Sequence, residues 1–312
     1  MKVFFSFALI LAVVNAANGA DVVDLDTALQ NTYYACVDID QDLNDMKKMA
    51  GINTAVSGVA TGLGVGATVA GFSKAKVDKK IEKWEMELNQ MIQNQNNQSG
   101  DKQIYQTVNI SSADLRAALV KNTSKDVNDI KNSIKDAENK SKKLGNWRTG
   151  LLAGNATTNI VGAIMANKNK VDSDLQNRVD NCAKNLRVLK NTIIQARIEG
   201  ADVSEAQNIY NECADYEYID LSPITKRAVG ATISSAVGAV TAGIGVATSI
   251  AANSDNVRQN DKDKEKKLNN ASNALSVGSS IASASATVFN AAQIAAIKKI
   301  VKVSEQCTKV LK

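Results

Sequence analysis

Residues 52–72 read INTAVSGVATGLGVGATVAGF, a segment that contains no charged residue. Gly58, Gly62 and Gly66 follow one another at four-residue spacing, which places them close together on one face of an α-helix. Small side chains in this pattern allow two helix backbones to approach closely, as in pairs of membrane helices. The segment therefore predicts a glycine zipper, meaning a helix that packs through its small residues.

Three further uncharged segments carry small residues at the same spacing. The second contains Gly154 and Gly162, the third Gly230 and Gly238, and the fourth Gly278. We predict that these glycines, together with those of the first segment, are helix-packing residues. Such segments could join helices within one chain or link copies into a homo-oligomer.

The composition favours long helices. The chain has 312 residues, one proline and only 4% aromatic residues. Because proline is the strongest helix breaker, such a chain can form helices without interruption. The formal net charge of +5 is spread along the chain, whereas a nucleic-acid partner requires a concentrated basic face. We therefore predict an all-α fold of long antiparallel helical hairpins or a coiled-coil bundle, and no nucleic-acid partner.

Large apolar residues recur at alternating steps of three and four, a heptad pattern that is typical of helices packed as coiled coils. The first repeat includes Ile52 and Val59 and predicts one helix that ends near Gln93. The second predicts a helix of roughly 70 residues over 127–196. The core positions predicted by the second repeat include Leu144, Trp147, Leu151, Gly154, Thr158, Val161, Leu175, Val179, Cys182 and Leu186.

Each half of the chain has the same order of features: a cysteine, an uncharged segment, a charged connector, a second uncharged segment and a second cysteine. This order predicts a two-fold internal repeat. The predicted divisions are a signal peptide (1–20), a first hairpin half with a charged coiled-coil connector (21–198), a helical linker (199–227) and a second glycine-zipper hairpin (228–312).

The first 20 residues have the pattern of a secretory signal peptide, with Lys2, an apolar core over 3–14 and small residues at the end. We therefore expect export to the periplasm, the cell envelope or the extracellular space, with or without membrane association. An oxidising compartment makes the four cysteines candidates for two disulfide bonds.

Residues that face one another in an antiparallel hairpin lie at equal distances from its turn. Cys36 lies nearly as far before the centre of the first uncharged segment as Cys182 lies after the centre of the second. Cys213 and Cys307 bear the same relation to the third and fourth segments, so we predict the bonds Cys36–Cys182 and Cys213–Cys307. The alternative bond Cys182–Cys213 would be out of register by about 9 Å of helix, more than a disulfide spans, unless the chain bends after Tyr210.

The sequence contains no histidine and no pair of cysteines separated by two residues. A Ser-His-Asp or Cys-His arrangement is therefore impossible, and a zinc site has no support. We predict a protein that is not an enzyme, with no cofactor, no metal and no small-molecule substrate.

Small residues at four-residue spacing suit two environments, a soluble bundle and a membrane. The favoured hypothesis is an exported, non-enzymatic helical protein that acts through coiled-coil contacts and through interaction with a membrane or a partner. The alternative is a helical pore-forming or membrane-spanning protein whose glycine-zipper hairpins insert into a bilayer. For insertion, the second hairpin is the better candidate because its uncharged segments are longer than the ~20 residues that a span requires and its connector is short.

Overall fold

The structure is a computed structural model that describes residues 24–100 and 112–311. Every regular element in these two ranges is a helix, so the all-α prediction is confirmed. The predicted signal peptide (1–20) lies outside the described residues. The α-helices are α1 (Leu25–Cys36), α2 (Ile39–Gly100), α3 (Ser112–Lys168), α4 (Ser173–Ile198), α5 (Ser204–Cys213), α6 (Ser222–Asn253), α7 (Asp255–Asn260) and α8 (Lys262–Leu311), with a 3₁₀ helix (Ala214–Tyr218) after α5.

Local capping explains where α4 begins and ends. The Asp172 side chain accepts a hydrogen bond from the Leu175 backbone N–H at 2.8 Å, which satisfies a free donor of the first turn. Gly200 follows the C-terminus with φ of +86°, a conformation that glycine adopts without steric cost. The prediction of one helix over 127–196 is therefore wrong, because α3 ends at Lys168 and Asp172 starts a new helix.

The chain forms two compact units, each assembled from several parts of the sequence. Of the described residues, unit 1 contains 24–51, 169–229 and 290–311. Unit 2 contains 52–100, 112–168 and 230–289. Each unit takes residues from both predicted hairpin halves, and the two-fold repeat stays a prediction.

Unit 1 has a core of large apolar side chains. The predicted positions Leu175, Val179, Cys182 and Leu186 of α4 are all buried in it, together with Tyr216 of the 3₁₀ helix. The Tyr216 hydroxyl donates a hydrogen bond to Ser304 Oγ of α8 at 2.5 Å. In this unit, large apolar residues at heptad spacing point inward, as the sequence predicts.

Both predicted disulfide bonds lie in unit 1. Cys36 is bonded to Cys182, with Cα atoms 4.8 Å apart, and Cys213 is bonded to Cys307, with Cα atoms 4.5 Å apart. The first bond joins the end of α1 to α4, and the second joins the end of α5 to α8. The pairing predicted from hairpin register is confirmed.

Unit 2 brings together parts of α2, α3, α6 and α8. Side-chain contacts link α2 to α3, α3 to α6, α6 to α8 and α8 to α2, and in each of these pairs the position numbers rise on one helix as they fall on the other. The four helices are therefore antiparallel neighbours in a bundle. Facing pairs include Gly66 and Leu151, Gly162 and Ser235, Gly245 and Ser272, and Lys74 and Glu265.

The buried positions of α2 and α3 in unit 2 lie one residue after the predicted ones. Val59 and Trp147 were expected in the core, yet both side chains are exposed. The prediction is wrong here because it assumed that large apolar residues are buried, whereas small and polar residues occupy the interior. The buried residues are Asn53, Ser57, Ala60, Gly64, Ala67, Ala70, Gly71 and Lys74 in α2, and Ser141, Gly145, Arg148, Leu152, Asn155, Asn159, Gly162 and Ala166 in α3.

Candidate functional site

The interior of unit 2 is polar along its length. Leu152, Ala67 and Ala242 form its one small apolar cluster among the described residues. The other buried positions are divided between polar side chains and the small residues Ala and Gly. The buried polar residues of unit 2 are Asn53, Ser57, Lys74, Ser141, Arg148, Asn155, Asn159, Ser235, Ser249, Asn269, Ser272, Asn273, Ser276, Ser279 and Ser283.

Arg148 of α3 is a fully buried cation with neutral partners. Its Nε donates to Ser249 Oγ at 3.1 Å, and its two terminal nitrogens donate to Asn273 Oδ1 at 2.9 Å and Asn269 Oδ1 at 2.8 Å. No salt bridge to Arg148 is found within the described part of the chain. Arg148 thus connects α3 to α6 and α8 and places a positive charge inside the bundle without a paired carboxylate.

A second charged group lies nearby and is internally paired. Lys74 of α2 is also buried, and its ammonium contacts Asp78 Oδ2 at 2.8 Å and Glu265 Oε1 at 3.0 Å. Ser141 Oγ of α3 donates to Asp78 Oδ1 at 2.5 Å. This group, which we call the Lys74 cluster, joins α2, α3 and α8, and its two carboxylates outnumber the Lys74 ammonium, with Arg258 of α7 3.9 Å from Glu265 as a further cation.

Amide and hydroxyl groups continue the polar interior through the middle of the bundle. Asn155 Nδ2 donates to Ser279 Oγ at 2.8 Å, and Asn159 Nδ2 donates to Ser283 Oγ at 2.9 Å. Ser279 Oγ in turn donates to the Gly238 carbonyl at 3.0 Å. These contacts cross the bundle between α3 and α8 and reach α6, so they form what we call the polar axis.

A cavity of about 320 Å³ lies at the end of unit 2 that contains the Lys74 cluster. Its walls include Asp78 and Glu265 of that cluster, and Asn269, which binds Arg148. Acidic and basic side chains from α2, α3, α7 and α8 surround it, including Glu82 and Lys262. The cavity therefore lies beside both the Lys74 cluster and a hydrogen-bond partner of Arg148.

Large apolar side chains cover the outside of unit 2 instead of its core. Trp147 is 70% exposed and Val240 is 62% exposed, and exposed apolar residues occur on all four helices. The exposed set is Ile52, Val59, Val65, Val69 and Phe72 on α2, Trp147, Ile160, Val161 and Ile164 on α3, Ile233, Val237, Val240, Ile244 and Ile250 on α6, and Val277, Ile281, Val288 and Phe289 on α8. Met86 and Ile92, farther along α2, are also exposed.

The apolar surface forms a band of defined height. The segment of α2 from Ile52 to Phe72 is about 30 Å long at 1.5 Å per residue, and the hydrocarbon core of a bilayer is also about 30 Å thick. Three helical stretches among the described residues are long and apolar enough to cross a membrane: Leu25–Asn94, Ser222–Asn253 and Lys262–Leu311. The fourth helix of the bundle, α3, is not among them. Trp147 and Phe72 lie at the same end of the band.

Five of the eight predicted helix-packing glycines lie against another helix. A Cβ added at Gly66, Gly154 or Gly162 would meet a neighbouring side chain at 3.3 Å. At Gly230 and Gly238 it would meet one at 2.9 Å. These positions are where the bundle helices approach closely.

The other three predicted glycines, Gly58, Gly62 and Gly278, would place a Cβ in open space, with nothing within 4 Å. These three glycines do not contact another helix of the same chain, and their role in packing between copies stays a prediction. Steps of exactly four residues drift around a helix of 3.6 residues per turn, whereas the buried positions alternate steps of three and four. The sequence prediction instead missed Gly64 and Gly71, which are buried against α3 and α8.

Sequence reasoning also missed Arg148 and the polar axis. The signal was available, because Arg148 and Asn155 have the heptad spacing expected of buried positions, but polar residues were assigned to the outside. The described residues contain no group of three or more His, Cys, Asp or Glu side chains arranged to hold a metal ion. No protein-family model, curated protein or solved structure matches this chain.

Proposed function

We propose that this chain is an exported, non-enzymatic membrane protein in which unit 2 spans a bilayer as a four-helix bundle. The observation that carries the proposal is the distribution of side chains in unit 2. Large apolar residues face outward on all four helices, while the interior holds amides, hydroxyls and Arg148. This is the opposite of unit 1, where large apolar residues form the core.

An apolar exterior on every helix favours lipid over a protein partner. Soluble monomers rarely expose a contiguous apolar patch larger than a few hundred Å², and a partner would have to enclose the whole bundle to cover this one. A bilayer surrounds a bundle without such a requirement. Close approach through small residues and hydrogen bonds between helices are also the contacts that hold membrane helices together.

Chain order and cysteine chemistry are consistent with this topology. The chain would cross the membrane twice between Cys36 and Cys182 and twice more between Cys213 and Cys307, so all four cysteines would lie on one side. Disulfide bonds persist in oxidising compartments, and both bonds are formed. The signal-peptide pattern of residues 1–20 provides a route to that side.

Tryptophan fluorescence offers a direct test, because the chain has two tryptophans, Trp84 and Trp147. Trp147 lies at the edge of the apolar band, whereas Trp84 lies about 18 Å farther along α2 than Phe72. Single-tryptophan variants, Trp84→Phe and Trp147→Phe, can be placed in vesicles whose acyl chains carry bromine, which quenches fluorescence on contact.

We expect the variant that retains Trp147 to be quenched strongly by bromine near the headgroup end of the acyl chain. The matched variant that retains Trp84 should keep its fluorescence. Equal quenching of the two tryptophans, or quenching of neither, would contradict a bilayer around this band.

A further inference from the structure

We infer that the interior of unit 2 is a path for small inorganic anions, in its closed conformation here, and that Arg148 sets its preference for anions. The inference rests on the proposed function, because the path has meaning only if unit 2 spans a bilayer. Three features carry it: the cavity, the buried Arg148 and the polar axis.

The cavity provides an entrance from water. Its walls combine carboxylates and ammonium groups of both signs, and it adjoins the Lys74 cluster. Asn269 lines the cavity and also accepts the hydrogen bond from Arg148. The Asn269 side chain therefore lies between an ion in the cavity and Arg148.

Arg148 is the feature that selects the sign of the ion. Its three hydrogen-bond acceptors are neutral oxygens, and the carboxylate that attracts it through space, Asp78, is already bonded to Lys74. Arg148 follows Trp147 in α3 and is therefore buried in the bundle at the edge of the apolar band, next to the cavity. Pores for anions use Arg or Lys side chains where pores for cations use carboxylates.

Beyond Arg148, the polar axis supplies groups that can replace the water around an anion. The Asn155 and Asn159 amides and the Ser279 and Ser283 hydroxyls are hydrogen-bond donors. In this conformation they bond to one another, so the axis is closed. A small movement of α3 away from α8 would break these hydrogen bonds and leave the donors free to bind an anion.

Hydrogen bonding between helices could by itself explain the Asn and Ser residues, because polar side chains join membrane helices. Arg148 also joins helices, because its N–H groups reach three acceptors, whereas an asparagine or glutamine side chain has only two N–H donors. Helix joining by itself does not account for the cavity beside Arg148. The ion path accounts for the charge, the cavity beside it and the continuation of polar groups past it.

The test uses the full mature chain with both disulfide bonds intact, reconstituted in planar bilayers of phosphatidylcholine under a KCl gradient. We expect currents whose reversal potential shows a higher permeability for chloride than for potassium. Arg148→Gln should lower the chloride-to-potassium permeability ratio by roughly tenfold, since it removes the fixed charge. Arg148→Lys, which keeps the charge, should retain the preference.

The matched control is Arg187→Gln, which removes an exposed charge from unit 1 and should leave the ratio unchanged. Inserted wild-type protein that carries no current, or currents that prefer potassium, would overturn the inference even if Arg148→Gln does not fold. An unchanged ratio in Arg148→Gln would also overturn it.

Insertion is measured separately, by tryptophan quenching in vesicles of brominated phosphatidylcholine. Protein that inserts but does not conduct refutes the path and leaves the proposed function intact. Protein that does not insert refutes both.

Discussion

Replacing Gly71 by alanine tests the close packing of unit 2 against a matched site on the same helix. A Cβ at Gly71 would collide with Asn273 Oδ1 and lie 3.0 Å from Asn273 Cγ and 3.2 Å from Arg148 Cδ. Asn273 Oδ1 is also the acceptor for Arg148. The added methyl group must therefore displace the oxygen that Arg148 binds. Gly62 on the same helix has nothing within 4 Å.

The magnitudes follow from these two environments. Gly→Ala in a helix interior gains about 1 kcal/mol of helix propensity at either position. At Gly71 the change also disturbs a hydrogen bond to a charged group, worth about 1.5–3 kcal/mol. Gly71→Ala should therefore be less stable than Gly62→Ala by about 1.5–3 kcal/mol, which for a chain of this size is about 3–12 °C in Tm.

Thermal unfolding followed by circular dichroism at 222 nm, in detergent micelles, measures the difference between the two variants. Gly62→Ala should unfold at or above the wild-type temperature. If Gly71→Ala is as stable as Gly62→Ala, the contact between α2 and the Arg148 group is not as described.

Three further changes have defined outcomes. Replacing Cys36 and Cys182 together by serine should cost about 2–5 kcal/mol of stability, measured by denaturant unfolding, and unchanged unfolding would argue against a stabilising bond. Burial raises the pKa of Tyr216 to about 12. The stability that its neutral form contributes is therefore complete below pH 10 and is lost as the pH rises toward 12. Absorbance of tyrosinate at 295 nm should show one tyrosine that titrates later than the others and is absent in Tyr216→Phe. Val240→Lys should cost about 3 kcal/mol of insertion free energy and reduce carbonate-resistant protein, whereas Tyr218→Lys in unit 1, at an 80% exposed position, should not; equal loss in both would contradict a lipid-facing Val240.

The disulfide pairing could be predicted because it depends on hairpin register alone. Cys36 and Cys182 are fixed by the positions of the uncharged segments, whichever face of each helix is buried. The same holds for Cys213 and Cys307. Antiparallel neighbours keep their register over a whole hairpin, so counting residues located both bonds.

The buried face could be predicted in unit 1 but not in unit 2. Val179 and Leu186 are large, apolar and buried. The assumption that large apolar residues are buried therefore identified the buried face of α4 correctly. Val59 and Trp147 fit the same pattern but point outward. Periodicity identifies a face, but only knowledge of the surrounding medium shows whether that face is inside. The sequence therefore predicted that unit 2 is helical and misplaced the interior of α2 and α3 by one residue.

The break between α3 and α4 was missed for a related reason. The heptad pattern continues through Lys168 and Asp172, but Asp172 caps the next helix. Its capping role depends on a hydrogen bond to the Leu175 backbone, which periodicity does not detect. Asp172 therefore starts a new helix at a point where the sequence contains neither proline nor glycine.

The central claim is that the outward apolar side chains of unit 2 face hydrocarbon, and spin labels at Val240, Ile244 and Ile281 test it most directly. Each label is introduced singly through an added cysteine, with the native disulfide bonds intact, and the protein is reconstituted in phosphatidylcholine vesicles. Collision with oxygen, which is concentrated in the bilayer, is compared with collision with a water-soluble nickel chelate. We predict high oxygen accessibility and low chelate accessibility at all three positions. High accessibility to the nickel chelate at these positions would place the apolar band in water and contradict the account.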